Sequence, residues 1–266
     1  MSSGWRWPLL NLIGFLATVT VNGLANALPL NGRQTGDVIN RDPTLFLPAN
    51  WTFSIWGLIY LGLAVFVIYG LLPAGRANAR LQRISPFFAL TCVANCVWLF
   101  LWHWEQLPLS MAAMGVLLLG LIGIYAALRR GSPAPSRGER ICLWWPFSVY
   151  LGWVSVATIA NATVVLARAG WDGWGIDPAF WAAFMIAVGG ALAVAIGLGR
   201  TDPLYAAVFV WAFVGIAVRQ RDTTLVAATA GVIALAVAVV ALIALFRALF
   251  RANTLTRRAD RFGATG

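Results

Sequence analysis

Apolar residues run along this chain in eight long stretches, at about 7–28, 52–72, 86–103, 108–128, 141–167, 179–199, 203–218 and 223–246. Most approach the ~20 residues that a helix needs to cross the hydrocarbon of a bilayer. Lipid offers the backbone no hydrogen-bonding partner, so each stretch is predicted to be helical. The seventh, at roughly 16 residues, lies near the lower limit for a span. The gaps between the stretches are short and polar. Residues 131–140 read as a flexible loop and 254–266 as a basic tail. The longest gap, 29–50, contains Pro29, Pro43 and Pro48, which favour a stiffened loop over a helix.

Composition agrees with this pattern. The chain is 61% hydrophobic and 11% charged, whereas a soluble domain carries about 25% charged residues. All 19 basic residues are arginine, and they sit at the ends of apolar stretches rather than on a polar domain. That placement fits membrane topology and argues against nucleic-acid binding. If the eight spans alternate, one side receives fourteen arginines, beginning with Arg6 and ending with Arg261. The other receives five: Arg33, Arg41, Arg168, Arg219 and Arg221. The bias places both termini in the cytoplasm, and it requires the seventh stretch to be a span. Arg6, the first apolar run and Ala25-Asn26-Ala27 also mimic a cleavable signal. The run is nevertheless long enough to span.

Candidate chemistry is sparse. No Asp, Glu, Lys or Arg falls in the middle of a stretch, which argues against a proton-driven pump. Cys92, Cys96 and Cys142 lie in or at the ends of apolar runs and read as small packing residues. His103 is the single histidine, so no metal or catalytic set is expected, and an interfacial, solvated His103 is the expected reading. Aromatic and amide residues are the alternative. At ~100° per residue, Phe53, Trp56 and Tyr60 share an arc of roughly 60°. Asn95, Trp98 and Trp102 do the same in the third stretch. Tyr150, Trp153, Ala157 and Asn161 fall within roughly 80° in the fifth. Converging stripes would make a π-rich pocket with a few polar groups. The competing reading is plain packing, with the asparagines as interhelical glue. Trp51, Trp104, Trp144, Trp145, Trp171 and Trp174, near stretch ends, read as interfacial belt residues.

At these residues the chain resembles the TspO/MBR family, the tryptophan-rich sensory proteins related to the mitochondrial translocator protein. The family's second helix opens with P-x-W-x-F-x-P-x-W-x-x-L-Y. Aligned on Pro48, this chain matches at Trp56 and Tyr60; Trp51 and Phe53 fall one place late, and Ser54 replaces the second proline. The third-helix motif N-x-x-W is Asn95 to Trp98. The fifth-helix motif P-Y-L-x-W-x-x-x-A-x-x-x-N runs from Val149, in place of the proline, to Asn161.

The resemblance implies an all-α integral membrane protein. A five-helix bundle would occupy residues 1–168, three additional transmembrane helices 169–250, and a cytoplasmic tail 251–266. It implies a receptor or sensor for porphyrin-like or other flat hydrophobic ligands, in the membrane of a bacterial cell. Transport of a neutral solute and light-dependent porphyrin breakdown are the alternatives. Tetrapyrrole is the implied ligand, with no firm cofactor and no catalytic residue. Membrane lipids and a second copy of the chain are the other candidate partners. Trp56, Trp98, Trp153 and Asn161 would line the pocket, with Phe53, Tyr60, Asn95, Tyr150 and Ala157 nearby, and Trp51 and the 29–50 loop would form a lid. Sterol binding is not implied, because after Tyr150 the next basic residue is Arg168.

Overall fold

A computed structural model describes residues 4–28, 30–32, 35–41, 44–131 and 134–263. Pro29, Arg33 and Pro43 lie outside the described residues, as do 132–133 of the flexible loop and 264–266 of the tail. Helices make up 84% of the chain, and no β-strand occurs among the described residues. The long helices are α1 (Arg6–Ala27), α2 (Ile55–Leu71), α3 (Ala79–His103), α4 (Leu107–Leu128), α5 (Trp145–Arg168), α6 (Pro178–Gly199), α7 (Pro203–Arg219) and α8 (Thr224–Gly263). Seven of the eight, counted with their adjoining turns, are long and apolar enough to cross a membrane; α7 is apolar but has 17 residues. The protein is an all-α integral membrane protein.

Helix boundaries follow from local chemistry. Asn78 caps α3 by accepting from the backbone N–H groups of Arg80 and Leu81, both at 3.0 Å. That cap sets the start of α3 seven residues before the third apolar stretch suggests, and Pro86 is carried inside the helix. Asp177 and Asp202 cap α6 and α7 in the same way. Each is followed by proline at the first helical position, where its missing N–H is no loss. A π-helical turn, Arg140–Trp144, leads into α5. Pro146 has no N–H for the carbonyl four residues back, so the wider turn falls where the regular ladder is interrupted.

Two expectations are corrected. The 29–50 segment contains a helix, Thr35–Arg41, despite its prolines. Asp37 in its first turn and Arg41 in its last suit the helix dipole. Val38 is fully buried in a small core with Leu47, Trp102, Leu107 and Val164. At the other end of the chain α8 continues as helix to Gly263 instead of giving way to a tail near residue 254.

Helix neighbours define two groups. α1 packs on α2 and α3, α3 on α4, α4 on α5, and α5 on α2, closing a ring of five. α6, α7 and α8 pack on one another, and α7 is the main contact back to α5. Gly152 on α5 permits that approach, since a Cβ there would lie 3.0 Å from Val208 Cβ and 3.2 Å from the Tyr205 carbonyl oxygen. The Asp202 carboxylate adds a polar joint. Its Oδ2 accepts from Tyr125 Oη (2.8 Å) on α4, from Arg129 Nη2 (2.9 Å) at the C-cap of α4, and from Ser148 Oγ (2.7 Å) on α5.

Candidate functional site

The ring of five encloses a cavity of about 480 Å³ at the end where α1, α3 and α5 finish and α2 and α4 begin. This is within the size range of small-molecule sites. Asn22 and Asn26 come from α1, Trp56 and Tyr60 from α2, and Trp98, Leu99 and Trp102 from α3. Met114 comes from α4, while α5 supplies Trp153, Val156, Ala157, Ala160, Asn161 and Val164. Thr35, Gly36, Leu47, Pro48, Asn50 and Phe53 complete the wall from the connecting segment.

The aromatic walls hold one another in place. Phe53 meets Trp153 edge-on at 5.6 Å, and Trp56 meets Tyr150 edge-on at 5.9 Å. Trp56 stacks on Tyr60 at 5.6 Å, and Trp98 stacks on Trp102 at 5.8 Å. Such pairs contribute about 0.5–1.5 kcal/mol each beyond area burial. Behind the wall runs a polar chain. Asn22 Nδ2 donates to Asn95 Oδ1 at 2.7 Å, and Asn95 Nδ2 reaches Tyr150 Oη at a longer 3.4 Å.

Three lining residues keep unpaired polar atoms. The indole N–H groups of Trp98 and Trp153 have no hydrogen-bond partner among the described residues, and neither has Asn161 Oδ1. Asn161 Nδ2 meets only the weak acceptor Met111 Sδ, at 3.4 Å. Trp153 is 2% exposed and Asn161 3%. A buried polar group without a partner costs about 1–3 kcal/mol. The π-rich wall of the cavity therefore holds two buried donors and one buried acceptor without partners, alongside the polar lining residues Asn22, Asn26, Thr35, Asn50 and Tyr60.

The segment leading to α2 closes over this end and is fastened at several points. Trp102 Nε1 donates to the Thr35 carbonyl at 3.4 Å, and Asn31 Nδ2 to the His103 carbonyl at 3.1 Å. Thr44 and Thr163 hydroxyls meet at 2.9 Å. Glu105 receives Arg41 and Arg168, each at 2.9 Å. Its φ of +52° is a left-handed conformation that few non-glycine residues adopt. His103 is a correction: it is 0% exposed instead of solvated. Its Nδ1 lies 2.8 Å from the Leu99 carbonyl, which can only accept. Nδ1 therefore carries a proton, and Nε2 lies 3.3 Å from Thr35 Oγ1. The Nδ1 contact holds the ring within α3, and the Nε2 contact ties it to the overlying segment at Thr35.

Of the residues singled out from sequence, Phe53, Trp56, Tyr60, Trp98, Trp153, Ala157 and Asn161 line the cavity. Asn95 and Tyr150 stand one layer behind. Trp51 points away: it is 43% exposed and meets Trp211 of α7 edge-on at 4.6 Å. At the opposite end the ring is filled. Phe66, Phe88 and Phe147 are fully buried and pack edge-on at 4.8–5.9 Å. Among the described residues no cluster of His, Cys, Asp or Glu could hold a metal ion.

A family model described as TSPO-like protein matches residues 8–244. The chain belongs to the TSPO-like family. The match runs past α5 and through α6 and α7 into α8, so all eight helices fall within it at least in part. TSPO-like membership supports a membrane receptor or sensor role in general terms. Neither the curated proteins nor the solved structures contain a match to the chain. Two features of the resemblance gain a physical setting in this TSPO-like chain. Ser54, standing for the motif's second proline, ends a 3₁₀ turn, Asn50–Ser54, and Trp51 is swung outward there. Pro146, three residues before Val149, packs its Cβ 3.2 Å from the Cβ position of Gly62 on α2.

The residues missed from sequence include Asn22, Asn26, Leu99, Met114 and, on α5, Val156, Ala160 and Val164. Asn22 and Asn26 carried a signal: two amides one turn apart in an apolar helix mark one face. Met114 and Val164 carried none.

Proposed function

We propose that this protein is a membrane receptor or sensor that binds flat, largely apolar ligands of the porphyrin class in the cavity of the five-helix ring. The observation that carries this reading is the pair of buried, partnerless indole N–H groups of Trp98 and Trp153 in a cavity walled by aromatic rings. A flat π-system with peripheral acceptors satisfies both features: faces stack against indole, and edges take the N–H groups. The filled end at Phe66, Phe88 and Phe147 makes the cavity a blind one, which favours binding over conduction.

Titration of the purified chain with protoporphyrin IX tests it through quenching of tryptophan emission. Saturable quenching is expected, and Trp153→Ala and Trp56→Ala should each weaken affinity about tenfold, the equivalent of about 1.4 kcal/mol. Affinity unchanged in both variants would remove the cavity from the account. Absence of saturable quenching in the unaltered protein would remove the porphyrin class.

A further inference from the structure

The mouth of the cavity is held by a helix that adds nothing to its lining. Pro48, Asn50 and Phe53 line the cavity and lie within ten residues of Thr44. The same segment is gripped from behind by α7. Trp211 Nε1 donates to the Thr52 carbonyl at 2.9 Å, and the Ala49 N–H donates to the Gly215 carbonyl at 3.0 Å. Arg219 Nη1 reaches the Pro48 carbonyl at 3.3 Å. Gly215 leaves no room between the two: a Cβ there would overlap Thr52 Cγ2 and lie 3.1 Å from Pro48 Cβ.

The α7–mouth contact is side chain to backbone and backbone to backbone, so it fixes the path of the segment rather than one side chain. The far end of α7 is fixed as well, by Asp202 on Tyr125, Arg129 and Ser148. α7 thus runs the depth of the ring with both ends fastened, one of them at the mouth.

We infer that α7 is the positioning element of the cavity mouth, with Trp211 and Gly215 as positioning residues that set how tightly the segment closes over a bound ligand. The consequence for ligand rests on the cavity being the binding site proposed above; the consequence for the segment does not.

Two readouts on the full chain separate these. The first, made without ligand, is hydrogen–deuterium exchange of the backbone amides at 49–55. Gly215→Ala and the milder Trp211→Phe should each raise exchange there at least fivefold. Adding Thr52→Ser to Gly215→Ala removes the obstructing methyl but keeps the hydroxyl that donates to the Ala49 carbonyl at 2.6 Å. The double variant should recover most of the protection. The second readout is protoporphyrin IX quenching, where Gly215→Ala should speed dissociation at least fivefold and Thr52→Ser should again restore it.

Gly190→Ala is the control. Its Cβ would press on Ile233 between α6 and α8, away from the mouth, and it should leave both readouts unchanged. Unchanged exchange in Gly215→Ala and Trp211→Phe overturns the inference, as does an equal effect from Gly190→Ala. Raised exchange with unchanged dissociation overturns the coupling to ligand. If the unaltered protein binds no porphyrin, the function proposed above fails, while the exchange result still decides the role of α7.

Discussion

Asp202 shows how much a single position can hold. The carboxylate is 5% exposed yet keeps its charge satisfied: Oδ2 takes three donors from α4, its C-cap and α5, and Oδ1 takes the Tyr205 N–H at 3.1 Å. Removing one partner of a buried ion pair costs about 3–5 kcal/mol. The Arg129 side chain keeps 21% of its surface open, so Asp202→Ala should destabilise the protein by about 3 kcal/mol, at the low end of that range. Thermal unfolding in detergent measures this, and an unshifted midpoint would contradict the joint. Asp202 was not legible as a joint because it falls in the gap between two apolar stretches, where a carboxylate reads as solvated. Trp56, Trp98 and Trp153 were legible, because each lies on a helix face shared with other aromatic or amide residues. Trp51 read from its place at a stretch end as a belt residue and from the resemblance as part of a lid; it is 43% exposed and leaves the cavity wall at the 3₁₀ turn Asn50–Ser54.

Between α5 and α7 the fit depends on Gly152, which sits inside the Tyr150–Trp153 stretch of the fifth-helix motif. Gly152→Leu must drive Val208 and the Tyr205 carbonyl away, and over-packing of this kind costs about 1–3 kcal/mol. The expected result is a lower unfolding midpoint together with weaker protection of the Tyr205 hydroxyl contact to Ser155 (3.1 Å). A midpoint within error of the unaltered protein would show that α5 and α7 can separate freely. All eight long helices could be read as elements from apolar length alone, since lipid leaves the backbone no other solution. Their ends could not, because caps such as Asn78 lie outside the apolar runs. The helix Thr35–Arg41 was hidden for a related reason: one buried residue, Val38, secures it, and one residue makes no periodicity.

At the scale of the whole molecule, one connected core runs from Phe46 to Val237 and joins the ring of five to the three helices that follow. The pairing between them, through residues some 50 to 160 positions apart such as Trp211 and Thr52, leaves no trace in local pattern. Eight spans and the arginine bias predict that both termini face the cytoplasm. A C-terminal fusion to a fluorescent protein that matures only in the cytoplasm should therefore be bright, and a C-terminal alkaline phosphatase inactive. The reverse pair of results would take away one span.

The shortness of α7 has a consequence for the membrane itself. Seventeen residues give a helix about 25 Å long, against a hydrocarbon layer of about 30 Å. Trp211, Val214 and Val218 on its outer face are exposed, and local thinning of the bilayer is one of the ways a stretch this short is accommodated. Both ends of α7 are fastened, which leaves it little freedom to tilt. In bilayers of longer acyl chains the mismatch grows, and the strain is delivered to Pro48, Asn50 and Thr52. Porphyrin dissociation measured in nanodiscs of increasing lipid length should accelerate, and Gly215→Ala, already loosened, should respond less. The protein would then read bilayer thickness through the same helix that shapes its ligand site.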